Sequence, residues 1–341
     1  MKDIKKIVVG IIGCGGRIGK IHTRNIIFNF PEVKVKYACD INIEEIKNWA
    51  YGLGITKVTK NHEELLKDDE VSSVFICSPT PTHVDYIIQA ANAGKDIFCE
   101  KPIDLDPEKI KKALNVIKKN NVMLQVGFMK RFDKNFMKLK ELINNGEVGS
   151  LYLIKITSRD PFFPPLEYLK ASGGLFLDMT CHDFDLLRYL IGNEIEEVFA
   201  IGRVFKEPRL KDFNDFDTAV INLNFRNEVL GIIENSRGTN YGYDQRIELF
   251  GSRGCITVSN PRLSQISFSK EEKIVNENPY YWFIERYTDS YINEIKYFFE
   301  VIKNNKEPIV TGLDSLKALL IGLAAKRSAE ENKPIKINYK I

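Results

Sequence analysis

"VVGIIGCGGRIG", residues 8 to 19, runs from an apolar, β-branched stretch straight into Gly13, Gly15, Gly16 and Gly19, and only then turns helical. A glycine turn between a first strand and a first helix lets backbone amides and the helix dipole approach an anion, as in the pyrophosphate sites of dinucleotide-binding domains. Position carries this reading more than pattern, because a lone G-x-G-x-x-G is a weak signal. The spacing departs by one residue, G-C-G-G-R-I-G, and leaves open which glycine faces the phosphates. Gly13, Gly15, Gly16, Arg17 and Ile18 are the candidate contacts. The next apolar run ends at Asp40, whose carboxylate would bond the ribose hydroxyls and repel a 2′-phosphate. Ile41 follows with no arginine beside it, which favours NAD over NADP. The competing reading is that Asp40 caps a turn.

Outward from this turn, short apolar runs alternate with helical patterns: "VKVKYAC", "IEEIKNWA", "HEELLKD", "SVFIC", "THVDYIIQAANAG", "DIFC", "PEKIKKALNVIKKN", "VMLQV". Nearly continuous apolar strands separated by helices imply a parallel, doubly wound Rossmann sheet covered on both faces. We place this NAD-binding domain at residues 1–125. After "FDKNFMKLKELINNGEVG" the rhythm becomes alternating, as in "LYLIKITSR", "EVFAIGRVF", "DTAVINLNF", "EVLGIIENS", "DQRIELFG", "GCITVS" and "LSQISFS". That pattern suits a large, mostly antiparallel sheet with one solvated or partner-facing side. Two helices close the chain, the second with Asp314 as its expected cap. Residues 126–341 thus form an α+β domain for substrate binding and oligomerisation, and the whole chain is of the α/β class.

At 341 residues the chain suits two domains, and 44% hydrophobic with 28% charged residues is ordinary for a globular protein. Lys plus Arg (49) nearly balances Asp plus Glu (46), with no basic stripe for nucleic acid. Six scattered cysteines never form C-x-x-C, which suits reduced thiols in a cytoplasmic protein. Neither signal peptide nor membrane span is expected, since no run reaches the length of one. Four histidines and the cysteines show no zinc spacing, so no metal is expected.

Two stretches carry chemistry. "GKDIFCEKPI" (94–103) sets Glu100 and Lys101 at the C-terminal edge of a parallel strand, where open α/β sheets bind ligands; a lysine there is otherwise a rim charge. "SGGLFLDMTCHDFDLLRYLIG" (172–192) reads as a glycine-opened helix with Asp178, His182 and Asp185 spaced four and three apart along one stripe. Taken alone, that stripe reads more readily as the solvated face of an amphipathic helix.

Together with "SPTPTH" (78–83), "QVGFMKRFD" (125–133), residues 158–192 and "NYGYDQRIELFGSRG" (240–254), these motifs resemble the glucose-fructose oxidoreductase, inositol dehydrogenase and rhizopine catabolism (Gfo/Idh/MocA) family. The resemblance spans essentially the whole chain and is strongest to the inositol 2-dehydrogenase branch. It implies an NAD-dependent oxidation of a cyclic polyol, myo-inositol to scyllo-inosose, with Lys101, Asp178 and His182 as the catalytic trio. Cys181 stands where relatives carry an aliphatic residue. The resemblance also implies a homo-oligomer, commonly a tetramer.

A secondary alcohol cannot yield hydride unless its hydroxyl proton also leaves. His182, across an interdomain cleft from Lys101, is the expected general base, since histidine titrates nearest neutral pH. Lys101 would stabilise the developing charge on oxygen. Asp178 would either fix the imidazole tautomer or bind a neighbouring substrate hydroxyl. An uncharged polyol must be gripped by several hydrogen-bonding groups, and Lys130, Arg131, Asp160 and Tyr243 are candidates beside the trio. Ser78, Thr80, His83, Glu100 and Lys101 join the cofactor candidates. His22 reads as a packing or capping group and His62 as a surface helix start. The alternatives are a dehydrogenase for another inositol isomer or an aldose, and a non-catalytic sugar- or NAD-sensing regulator.

Overall fold

The computed structural model describes residues 7–340. In chain order the first elements are β1 (Val8–Ile12), α1 (Arg17–Asn29), β2 (Lys34–Cys39), α2 (Ile43–Gly52), β3 (Lys57–Thr59), α3 (His62–Lys67), β4 (Ser73–Ile76), α4 (His83–Asn92), β5 (Asp96–Cys99), α5 (Pro107–Asn120) and β6 (Leu124–Val126). Then follow α6 (Lys134–Asn144), β7 (Leu151–Asp160), α7 (Leu166–Ser172), α8 (Cys181–Ile191), β8 (Ile195–Arg203), β9 (Thr218–Phe225), β10 (Leu230–Arg237), β11 (Asp244–Gly251) and β12 (Gly254–Val258). The last are β13 (Ser267–Lys270), β14 (Lys273–Asn276), α9 (Phe283–Arg286), α10 (Thr288–Asn304), α11 (Gly312–Glu331) and β15 (Ile335–Lys336).

Two compact units result. The first holds residues 7–132 together with Asp289–Lys317; the second holds Asp133–Thr288 and Ala318–Lys340. Residues 289–317, expected in the second domain, therefore fold with the parallel sheet. The reason is apolar: Phe298 and Phe299 of α10 join the cluster of Val9, Ile11, Ile26, Phe75 and Phe98. Phe298 meets Phe75 edge-on, ring centroids 5.3 Å apart.

The first unit is a six-stranded sheet in the order β3-β2-β1-β4-β5-β6, parallel throughout. Strand order reverses beside β1, so the loops after β1 and β4 flank the crevice where doubly wound sheets bind ligands. Strand β3, three residues long, escapes the sequence pattern because it is too short to show a period. Local chemistry sets the helix ends. Asp106 caps α5 by accepting from Glu108 N–H at 2.9 Å, Pro107 opens it, and Asn121 in a left-handed conformation (φ 51°) ends it.

The second unit is a seven-stranded sheet, β12-β11-β7-β10-β9-β8-β15, antiparallel except for the parallel pair β7–β10. Buried and exposed residues alternate strictly along β9, so one face is core and the other open in this chain. "LSQISFS" does not join this sheet; Ser267–Lys270 pairs only with β14, as a separate exposed hairpin. Asp314 is likewise not the cap of α11. Thr311 takes that place: its Oγ1 accepts from Asp314 N–H at 3.2 Å, while Asp314 Oδ2 accepts from Thr311 N–H at 2.9 Å, a reciprocal capping box.

The glycine turn is held by backbone contact. Gly13 has φ +78°, and a Cβ there would lie 2.5 Å from the Ser78 nitrogen; a Cβ on Gly19 would lie 2.2 Å from the Gly13 carbonyl oxygen. Gly19 sits inside α1, where helix propensity alone would reward alanine by about 1 kcal/mol. Gly19→Ala is instead expected to destabilise the protein by about 1–3 kcal/mol through overpacking. Gly16→Ala, whose Cβ meets nothing closer than 3.5 Å, costs less. Thermal unfolding of the two variants checks this, and equal melting temperatures would refute it.

Candidate active site

In the first unit, α1 starts at Gly16, which is extended (φ −64°, ψ 162°) and supplies no side-chain cap; no acidic residue stands in the first turn. A helix N-terminus leaves several amides without intrahelical partners and carries a partial positive charge. This turn fits a pyrophosphate: bare of side chains at Gly13, Gly15 and Gly16, with Arg17 and Ile18 opening the helix. Gly13 and Gly19 are fixed by the contacts described above, and the additional residue of the motif falls at the helix cap. Asp40 ends β2 with one oxygen accepting from Gly15 N–H at 2.8 Å and the other from Asn42 N–H at 3.0 Å. The carboxylate therefore braces the turn at the crevice edge, and capping is part of its work.

Across the crevice the loops after β4 and β5 are tied together. His83 Nε2 lies 2.7 Å from the Ser78 carbonyl and Nδ1 lies 2.8 Å from the Pro102 carbonyl. Burial lowers the His83 pKa, while its hydrogen bonds to the two carbonyls act in the opposite direction. Its edges are thus occupied by main chain. Ser78 Oγ pairs with Thr82 Oγ1 at 2.7 Å, and Thr80 begins the short turn into α4. Glu100 Oε2 accepts from the Lys101 N–H at 3.3 Å, and Lys101 itself is half-buried at the strand end. In the turn Met129–Phe132, Lys130 and Arg131 are both buried. The Arg131 guanidinium donates to the Ile309 carbonyl at 2.6 Å and pairs with Asp314 at 3.1 Å, anchoring this turn to the start of α11.

In the second unit the residues that carry the D-x-x-x-H pattern do not form one α-helix. Leu175–Met179 is a π-helical turn, and α8 begins only at Cys181. Asp178 therefore precedes the helix that carries His182 and Asp185, and the α-helical spacing does not apply across Thr180. Gly174 (φ +81°) admits the turn, and Asp215 Oδ1 accepts the Leu175 N–H at 2.8 Å. Burial raises the Asp215 pKa.

The stripe is not a solvated face either. Asp183 and Asp185 have no exposed surface, and Asp178 is 9% exposed. Asp178 receives the Tyr168 hydroxyl at 2.9 Å and Arg237 Nη2 at 3.1 Å, and its carbonyl accepts the Cys181 thiol at 3.1 Å. Asp183 accepts Asn235 Nδ2 of β10 at 3.0 Å, which locks α8 to the sheet. His182 is half-buried in the first turn of α8. Asp160 ends β7, its carbonyl accepting Thr239 N–H at 3.0 Å. Tyr243 is buried edge-on against Tyr287, ring centroids 5.9 Å apart.

Within the second unit the structure thus joins Asp178 to Arg237 and Tyr168, two partners that the sequence reading missed. Arg237 left a signal: positions 231, 233 and 235 of β10 point inward, and continuing that register, which Ser236 joins at the strand end, puts an arginine inside. Such a buried cation requires an anionic partner. Tyr168 left none. All six cysteines are free thiols, and burial raises Cys39 to about 12. Among the described residues no helix is long and apolar enough to cross a membrane.

A model of the oxidoreductase family's NAD-binding Rossmann fold matches residues 7–128, and one of its C-terminal alpha/beta domain matches residues 140–337. The chain is 44% identical over 330 residues to myo-inositol 2-dehydrogenase of Thermotoga maritima, covering 96% of this chain and 98% of that protein. To inositol 2-dehydrogenase of Rhizobium meliloti it is 39% identical over 330 residues, with 96% and 98% covered. The crystal structure of scyllo-inositol dehydrogenase from Lactobacillus casei, with bound NAD(H) and scyllo-inositol, is similar at a TM-score of 0.90 and 32% identity, covering 97% of this chain and 99% of that one. These two family models, which together span most of the chain, and its nearly full-length relatives place it in the Gfo/Idh/MocA family of oxidoreductases, as a dehydrogenase built on an NAD-binding domain.

Proposed function

We propose that the protein is an NAD-dependent inositol 2-dehydrogenase that oxidises myo-inositol to scyllo-inosose. The observation that carries this is nearly full-length similarity to inositol 2-dehydrogenases, in a chain that carries Lys101, Asp178 and His182. Bound NAD supplies the hydride acceptor. Gly13, Gly15, Gly16, Arg17, Ile18 and Asp40 would hold it, with the segments of Ser78, Thr80, His83, Glu100 and Lys101 completing its site. His182 takes the hydroxyl proton, and the Lys101 ammonium stabilises the oxygen as charge develops. The Asp178 carboxylate already accepts from Tyr168 and Arg237, which fits a fixed acceptor beside the base. Lys130, Asp160 and Tyr243 are proposed substrate contacts, with Arg131 anchoring the Lys130 turn.

Absorbance at the NADH band with a panel of inositols and aldoses, and with NAD or NADP, tests this reading. Expected are turnover with myo-inositol and preference for NAD. Best turnover with scyllo-inositol, the ligand in the Lactobacillus casei structure, would reassign the isomer. NAD binding with no turnover of any polyol would favour a sensor. His182→Ala is expected to lower kcat by about two to four orders of magnitude with NAD affinity unchanged in a fluorescence titration. A fully active variant would remove the base assignment.

The open face of the second sheet is proposed to pack on a second copy, in a homo-oligomer and most simply a tetramer. It carries Ile201, Val220, Leu230 and Phe250, between 37% and 55% exposed, on paired strands. Apolar patches of this kind mark interaction sites. Val220→Asp should give a smaller species than wild type by size exclusion with light scattering, and an unchanged mass argues against this face.

A further inference from the structure

Three titratable side chains meet inside the first unit. His22 comes from α1, Glu100 from the end of β5 and Glu294 from the middle of α10, and one ligating atom of each lies within 4.8 Å of the other two. His22 and Glu294 have no exposed surface. The His22 Nε2 lies 2.7 Å from Glu100 Oε1, and the rings of Phe75, Phe98 and Tyr291 surround the imidazole at centroid distances of 5.8, 5.0 and 5.8 Å. Both carboxyl oxygens of Glu294 are buried without a hydrogen-bond partner. Its main chain is fixed in place, since the Glu294 carbonyl accepts from Gln125 Nε2 at 3.0 Å.

An ionised Glu294 would set a second negative charge beside Glu100, in apolar surroundings with no donor. Two carboxyls so placed disfavour each other's ionisation. Burial and the charge of Glu100 accordingly push Glu294 well above the ordinary carboxyl range. Cys77 and Cys99, at the ends of β4 and β5, lie within electrostatic reach of Glu100 and stay neutral, because burial raises both thiols. Glu100 is held on its other side as well. Its Oε2 accepts the Lys101 N–H at 3.3 Å, and a Cβ on Gly127 would lie 3.0 Å from that oxygen, so the absence of a side chain there admits the carboxylate.

We propose that His22, Glu100 and Glu294 form a buried cluster that positions Lys101: His22 is hydrogen-bonded to Glu100, Glu294 packs beside them as a neutral acid, and Glu100 holds the Lys101 main chain. The cluster rests on the dehydrogenase reading above only through the work of Lys101. Glu294 and His22 are positioning residues, acting through Glu100. A divalent ion could use the same three side chains, but a 2.7 Å separation of His22 and Glu100 is that of a direct hydrogen bond.

Infrared difference spectra of NAD-free protein, wild type against Glu294→Gln, should show a carboxylic-acid carbonyl band that the variant lacks. Stability gives a second readout. A carboxyl whose pKa is raised by folding contributes stability below the ordinary carboxyl range and loses it as pH rises toward the folded value. Wild type should therefore lose melting temperature relative to Glu294→Gln across that interval. The other titratable groups of the cluster and around it, His22, Glu100, Cys77, Cys99 and Tyr291, are common to both proteins. With polyol and NAD, Glu294→Ala should lower kcat about tenfold at a polyol KM within about twofold, and Glu294→Gln should restore most of it. Absence of the band, parallel pH curves, or failure of the glutamine to rescue overturns the cluster. So does a stoichiometric divalent metal whose removal by EDTA destabilises wild type but not Glu294→Gln. A wild type that shows the band yet oxidises no polyol overturns the proposed function and supports the cluster.

Discussion

The first unit depends on how closely its backbone can approach itself at the end of β1. The Gly13 carbonyl presses on Gly19, and Gly13 itself presses on the main chain of Ser78. Strand, turn and helix are thereby locked at distances that no Cβ tolerates, and the start of α1 is left bare for an anion. Everything else around the crevice is arranged on that close contact. Asp40 braces Gly15 from one side, while the loops after β4 and β5 close the other.

A different constraint shapes the second unit. There the fold takes charge inward and must satisfy it. Arg237, 1% exposed, has to find an anion, and the π-turn delivers Asp178 to it. The turn exists because Gly174 accepts a left-handed backbone and Asp215 receives the Leu175 amide. Asn235 then ties Asp183 of α8 to the same strand that carries Arg237. A carboxylate held by a buried guanidinium and a tyrosine hydroxyl is fixed in orientation before any ligand arrives, which suits the part proposed for Asp178.

Much of this was legible along the chain. Alternating apolar strands and helices, with glycines at the first turn, specify a parallel sheet because each signal is local: period, cap and turn chemistry agree. The mixed sheet was legible from its strict alternation. Features set by packing between distant segments were not. Nothing in "YTDSYINEIKYFFEVIKN" shows that Phe298 belongs with Phe75 rather than with the sheet that precedes it, and a three-residue strand such as β3 has no period to read. The 178–182 spacing misled for a related reason, since an α-helical stripe presumes an unbroken helix and the π-turn interrupts it. Likewise His22 and Glu294, 272 positions apart in the chain, become neighbours only in the folded unit.

The imidazole of His83 joins two strand ends through the Ser78 and Pro102 carbonyls. Mechanically it is a pin through two plates. The loop behind β4 and the Glu100–Lys101–Pro102 segment thus share one buried support, and the two walls of the crevice are braced against the same ring.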